Sequence, residues 1–229
     1  MRVVFLGLAG AGKGTQAQTM AKHLAVPFVS SGDLFRDHQA KGTKMGLLAK
    51  GYMERGELVP DEVTIGMILE RIGQKDARRG FVLDGFPRTL QQAQALDQVL
   101  GANSIDIAVY VKVDEEELVR RLSNRISCRR CGAPYQKDLL ESQGVTRCPS
   151  CDGDLYQRPD DAPDVVRRRL QVQRPAIASL VKHYSSQSKL QEVNGQQSVE
   201  AVGRDILKVV SPPAQASRKS SIGKSASIG

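Results

Sequence analysis

The sequence predicts an α/β fold: a five-stranded parallel sheet with helices on both faces, interrupted by a helical insertion and by a metal-held insertion. Three observations predict it. Short apolar runs alternate with helical stretches along most of the 229 residues, the pattern of a parallel sheet covered on both sides. A glycine-rich loop, Gly7-Leu-Ala-Gly10-Ala-Gly12-Lys13-Gly14-Thr15, separates the first apolar run from the first helical stretch. Four cysteines, Cys128-x-x-Cys131 and Cys148-x-x-Cys151, are confined to one interval.

Taken in order, Arg2 to Leu8 is an apolar run ending at glycine and reads as a buried first strand. Lys13 to Ala25 carries helix formers, with Met20 and Leu24 on one face. Phe28 to Ser30, Phe81 to Leu83, Ile105 to Val113 and Leu190 to Val193 supply the other four strands. The acidic run Asp114 to Glu117 suits a helix start, where the dipole favours negative charge. Two stretches break the alternation. Residues 31–60 read as two or three helices without a strand, and residues 126–160 hold the cysteines among glycines and prolines. The last 19 residues, 211–229, are poor in apolar side chains and are expected to be disordered.

Composition narrows the class. A hydrophobic fraction of 40% supports a sizeable core, and no apolar run approaches the ~18 residues of a membrane span. The opening apolar stretch runs straight into the glycine loop without a cleavage-like segment, so the expected compartment is the cytoplasm. Net charge is +8, but Arg218, Lys219 and Lys224 lie in the acid-free tail. The remaining positive excess suits a polyphosphate ligand. With aromatics at only 4%, the chain lacks the stacking side chains that usually accompany a nucleic-acid face.

The glycine loop points to phosphate. Glycines let the backbone curl so that successive N–H groups face phosphate oxygens, and the following helix adds its N-terminal dipole. This is the P-loop arrangement, with Lys13 reaching the outer phosphates. The general pattern places Ser or Thr directly after the lysine as a magnesium ligand. Here Gly14 stands there and the hydroxyl comes at Thr15. Thr15 is therefore expected on phosphate, with magnesium held by nucleotide oxygens and water and Asp84 as its outer-sphere partner.

Two Cys-x-x-Cys pairs separated by sixteen residues fit a closed, tetrahedral, structural zinc site. Disulfides are the alternative, and they are uncommon in a reducing cytoplasm.

Four segments together resemble the adenylate kinase family, in the bacterial form with a zinc-binding lid. They are Gly7 to Thr15, Ser31-Gly-Asp33-x-x-Arg36, Asp84-Gly-Phe-Pro-Arg88-Thr89, and Asp160-Asp161 with Arg169. The chain departs from the family pattern at Leu8-Ala9, where Ala-Pro is common, and over Gln136 to Arg147. The resemblance implies the reaction ATP + AMP ⇌ 2 ADP with nucleotide-bound magnesium, in a monomer. It also implies a division of the chain: residues 1–29, 60–123 and 162–210 as the core, 30–59 as the segment that binds the nucleoside monophosphate, and 124–161 as the lid.

Residue roles follow from the same resemblance. Lys13, Arg88, Arg125, Arg158 and Arg169 would be catalytic. ATP would lie on Gly10, Ala11, Gly12, Lys13, Gly14 and Thr15, with Arg121 on its base, Arg125 on its phosphates, and Pro134, Tyr135 and Gln197 alongside. AMP would be held by Ser31, Arg36, Arg88, Arg158 and Arg169, with Glu57, Leu58, Val59, Gly85, Phe86, Pro87 and Gln92 around it. The arginines suit this chemistry because the planar guanidinium binds phosphate bidentately. Two rivals remain at this level: a GTP:AMP phosphotransferase on the same fold, and a nucleic-acid-binding ATPase with a zinc ribbon.

Overall fold

The computed structural model describes residues 1–101 and 104–210; the predicted tail, 211–229, lies outside the described residues. In chain order, β1 (Arg2–Leu6) leads through the glycine loop into α1 (Lys13–Leu24) and β2 (Phe28–Ser30). Helices α2 (Ser31–Ala40), α3 (Lys44–Glu54) and α4 (Asp61–Ile72) then precede β3 (Phe81–Asp84). After α5 (Leu90–Leu100), β4 (Ile107–Lys112) and α6 (Glu115–Ser123) comes a separate small unit of β5 (Arg125–Cys128), β6 (Pro134–Gln136), α7 (Lys137–Ser142) and β7 (Leu155–Tyr156). The long helix α8 (Pro163–Ser186), β8 (Leu190–Asn194) and α9 (Val199–Val210) complete the chain.

The main sheet has five parallel strands in the order β2-β3-β1-β4-β8, as expected. β1 is central, with Val3 beside Val82 on one side and Ile107 on the other. Its side chains alternate between two cores. Val3 and Phe5 pack with Ala17 and Met20 of α1 and Ile206 of α9, whereas Val4 and Leu6 pack with Ile68 of α4, Leu96 of α5 and Leu180 of α8. Each fully buried side chain of this size stabilises by roughly 1.5–3 kcal/mol, so the double-sided burial of β1 anchors the sheet.

Four strands differ at a limit from the sequence reading: β3 and β8 each run one residue further, to Asp84 and Asn194, and β1 and β4 are shorter. β1 stops at Leu6 rather than Leu8 because Gly7 turns to φ +142, where any Cβ would come within 2.6 Å of the Val111 carbonyl. β4 begins at Ile107, although Ile105 is still buried beside it. In the smaller unit, β6, β5 and β7 form an antiparallel sheet, and α7 occupies a stretch for which no element was expected.

The C-terminal ends of the five main strands run into the glycine loop, Ser31, Gly85, Val113 and Gly195. In open parallel sheets this edge, where the strand order reverses, is where ligands bind.

Helix α8 shows how its sequence seats it. Val166, Leu170, Gln173, Ile177, Leu180 and Tyr184 recur at helical spacing and are all buried. Tyr184 is fully buried, and its hydroxyl has no hydrogen-bond partner among the described residues. Burial pushes that phenol above its ordinary range, with Asp97 adding to the effect. Tyr184→Phe removes a desolvated hydroxyl without opening a large cavity, so it should leave stability unchanged or raise it by about 1 kcal/mol. Urea unfolding checks this; a clear loss of stability would mean the hydroxyl has a partner after all.

Candidate active site

The sheet edge, the α2–α3 pair and the antiparallel unit enclose a cleft of about 960 Å³. Its floor is the glycine loop. Gly10 takes φ +85 and lies so close to α6 that a Cβ would fall 2.9 Å from Leu122 Cγ. Gly12 caps α1 at φ 86, with nothing within 4 Å of its missing Cβ. No side chain at Gly12 therefore stands between the cleft and the start of α1. Lys13 folds back and donates to the Leu8 carbonyl at 2.8 Å. Asp84 closes the other side of the floor, since a Cβ on Gly14 would stand 3.2 Å from Asp84 Oδ2.

Cations surround this floor. Arg88 Nε donates to the Gly85 carbonyl at 2.8 Å, which turns the guanidinium back over the loop after β3. Arg36 on α2 pairs with Asp33. Arg158 Nε donates to Ser127 Oγ at 2.8 Å. Arg169 on α8 meets Asp160 Oδ2 at 2.9 Å and the Asp160 carbonyl at 2.7 Å. Arg125, at the start of β5, forks onto both oxygens of Asp161, with Nε at 2.7 Å. Asp161 is fully buried.

The electrostatic strain is legible in the titration behaviour. Burial pushes the Lys13 ammonium down to about 8; Asp84 opposes this, and Arg88, Arg169 and Arg125 add to it. Burial likewise lowers Arg88 and Arg158 to about 10, still charged at neutral pH, with Arg169 and Arg36 pressing on Arg88 and with Arg36 and Arg125 pressing on Arg158. Asp160 responds oppositely: burial opposes its ionisation, but Arg169, Arg125, Arg158 and Arg36 outweigh that and hold it below the usual carboxylate range. A cleft of this kind is short of anions.

Two ends of the cleft are suited to bases. At one, Ser31 Oγ donates to the Gly85 carbonyl at 2.7 Å, and Glu57, Leu58, Val59, Pro87 and Gln92 form the wall. At the other, Arg121 is braced by Glu117 at 2.6 Å and by the Gly195 carbonyl at 3.0 Å, with Gln197 nearby. The Gln197 side-chain amide is engaged by the Asn194 carbonyl and Asp205. Pro134 and Tyr135 of β6 form the roof. Of the residues assigned above to the two nucleotides or to magnesium, Phe86 alone does not line the cleft: it is fully buried in the core beneath it.

The cysteine sulphurs all lie within 4.8 Å of one another. Cys128 Sγ and Cys151 Sγ are 3.5 Å apart, and Cys131 Sγ and Cys148 Sγ are 3.6 Å apart. Four thiolates about 2.3 Å from a tetrahedral zinc ion would stand about 3.8 Å apart, so the donor set and its spacing fit that metal. The Arg130 and Cys131 amides aim at Cys128 Sγ, at 3.3 and 3.5 Å, and the Tyr135 hydroxyl lies 3.2 Å from Cys148 Sγ.

Several residues that shape the site gave little sequence signal. Asp61 reads only as an acid at a helix start, yet it holds Thr89 and Gln92. Ser127 carries no motif and orients Arg158. Gln173 does break the apolar stripe of α8, a signal that was there to find; its Oε1 accepts from the Ala9 amide of the glycine loop at 3.1 Å.

Lys13 supplies a pH test. Its free-state value of about 8 lies below the ordinary 10.5 because the cleft disfavours the ammonium. A polyphosphate beside it favours the ammonium and raises the value again. Binding of inorganic sulfate, a stand-in anion that holds no proton of its own in this range, should therefore take up close to one proton per chain near pH 9 and almost none near pH 7, with affinity weakening by up to about tenfold per pH unit above 8. Calorimetry in buffers of different ionisation heat measures this. Proton release, or no pH dependence, would contradict the placement of Lys13.

The fold and the cleft agree with what the chain is similar to. A family model for adenylate kinase matches residues 5–189. An adenylate kinase from Archaeoglobus fulgidus is 45% identical over 208 residues, covering 90% of this chain and 96% of the relative. One from Salinispora tropica is 46% identical over 204 residues, covering 88% and 94%. One from a Geobacillus strain is 43% identical over 212 residues, covering 92% and 98%. Likeness at this level, running through the sheet and both of its interruptions, shows that the chain belongs to the adenylate kinase family, the phosphotransferases that act on nucleoside monophosphates.

Proposed function

We propose that this cleft carries out ATP + AMP ⇌ 2 ADP, with AMP against Ser31, Glu57 to Val59 and Gln92 and with ATP against the glycine loop, Arg121 and the Gln197 backbone. The observation that carries the reading is the convergence of Lys13, Arg36, Arg88, Arg125, Arg158 and Arg169 on one cleft with two base-sized ends. An oxygen of the AMP phosphate attacks the γ-phosphorus, the bond from that phosphorus to the β,γ-bridging oxygen breaks, and ADP forms on both sides. The attacking oxygen is already anionic, so no general base is needed. What the reaction needs is alignment and charge neutralisation.

The chain's residues divide that work. Arg36 and Arg88 grip the acceptor phosphate, Lys13 and the loop amides hold the donor's outer phosphates, and Arg125, Arg158 and Arg169 neutralise charge developing on the transferring group. Asp84 would hold nucleotide-bound magnesium through water, and the metal would supply charge neutralisation for the donor phosphates. Closure of the residue 124–161 unit as a lid would exclude water. Arg125 and Arg158 belong to that unit, and Asp160 and Asp161 are its latch to Arg169.

The same reading treats the chain as a cytoplasmic monomer without a nucleic-acid partner. Among the described residues no helix is long and apolar enough to cross a membrane. In the cysteine unit, the Tyr135 hydroxyl is engaged with Ser150 at 2.8 Å, and Arg129 covers the Tyr156 ring at 4.4 Å, which leaves little aromatic surface for stacking on bases. Both features support the enzyme reading over a zinc-ribbon ATPase.

Two tests follow. In a coupled assay, Arg88→Ala should lower kcat/KM by about 10²–10⁴, since a charged phosphate contact and a transition-state contact are lost together. Arg88→Lys should recover little, because it keeps the charge and loses the fork; near-wild-type kinetics would remove the bidentate role. Freshly purified reduced protein should contain about one zinc per chain. Cys148→Ser should lower the melting temperature while activity well below it persists at a substantial fraction, because the metal only cross-links. Less than about half an equivalent of metal would remove the zinc site, and complete inactivity of a folded metal-free form would make the metal catalytic.

A further inference from the structure

We propose that Asp61 is a positioning residue that makes the acceptor site prefer a 6-amino purine over a 6-oxo purine, by fixing which way the Gln92 amide faces. The inference rests on the acceptor-site reading above. Gln92 is 1% exposed and lines the cleft, and both ends of its amide are held. Nε2 donates to Asp61 Oδ1 at 2.7 Å, and Oε1 accepts from the Arg88 backbone N–H at 2.6 Å. Asp61 Oδ2 accepts from Thr89 Oγ1 at 2.7 Å, and that hydroxyl in turn accepts from the Gln92 backbone N–H at 3.1 Å, capping α5.

The two neighbours impose one orientation. An ionised carboxylate only accepts and a backbone N–H only donates. Turning the amide over would set its NH2 against the Arg88 N–H and its oxygen against the Asp61 carboxylate. The remaining hydrogen on Nε2 and the remaining lone pair on Oε1 are thereby fixed in sense. Adenine offers an exocyclic N–H donor beside the N1 acceptor, whereas hypoxanthine and guanine offer the O6 acceptor beside an N1–H donor. A side-chain amide matches one pattern in one orientation and the other pattern only when turned over. Asp61 stands where the Glu57 to Val59 strap enters α4, so a single carboxylate joins the strap, the base reader and the Arg88 loop.

The test is the acceptor preference, read as the ratio of kcat/KM for AMP to that for IMP with ATP as donor. In Asp61→Asn the new side chain donates as well as accepts, so one of the two constraints on the amide is lost and only the Arg88 N–H still opposes the turned orientation. The ratio should fall by about tenfold or more, through KM for the acceptor, while KM for ATP stays unchanged. Gln92→Leu, which keeps the volume and removes the amide, should lower the ratio at least as far, and it decides the matter if Asp61→Asn does not fold. A merely structural role would weaken both acceptors together; a folded variant with an unaltered ratio overturns the proposal, whatever happens to the absolute rates. A wild-type chain that phosphorylates neither AMP nor IMP would instead remove the acceptor-site reading on which it stands.

Discussion

Burial of several cations beside one another is the constraint that organises this molecule. Lys13, Arg88, Arg158 and Arg169 are each held below their ordinary titration range, with burial first among the causes and other cations of the cleft contributing. Removing such groups from water costs several kcal/mol per ion unless partners replace the lost hydration. The chain supplies only part of that compensation, through Asp160 and Asp161 on Arg169 and Arg125, and through Asp33 on Arg36. The shortfall is the binding energy available to two nucleotides.

The scaffold explains how the cations stay in place. Lys13, Asp84 and Arg88 follow directly from strands β1 and β3, whose apolar residues are packed on both faces. The surrounding parts are tied to that frame through few, specific contacts. Gly56 sits so close to α8 that a Cβ would fall 2.9 Å from the Val165 carbonyl, and Glu57 pairs with Arg168 at 2.7 Å. Arg125 and Arg158 come from the cysteine unit, where Asp161 holds Arg125 and Ser127 holds Arg158. Rigid strand ends and loosely tethered flanks suit a site that must admit two substrates and then enclose them.

Much of this was readable before folding because the relevant signals are local. The glycine loop, Asp84 to Arg88 and the paired cysteines combine residue type with short spacing, and the three central strands β1, β3 and β4 are largely apolar, as burial on both faces requires. What was not readable depends on contacts across long separations. Asp61 meets Thr89 and Gln92 from 28 and 31 positions away, and Gln173 meets Ala9 from 164. Nothing around Ser127 announces that it will orient Arg158. Phe86 illustrates the converse: it sits within a site motif, but its side chain is needed in the core. Helix α7 went unseen because six residues are too few for a periodic pattern to show.

The most direct measurement is calorimetric binding of one molecule in which two adenosines are joined through five phosphates. If the cleft seats donor and acceptor together with their phosphates meeting among the cations, this ligand should bind one per chain and displace both ATP and AMP. Its affinity should exceed that of either nucleotide alone by about two orders of magnitude or more, because the second half binds at high effective concentration. Binding no tighter than ATP, or failure to displace AMP, would contradict a shared cationic cleft as the basis of the activity.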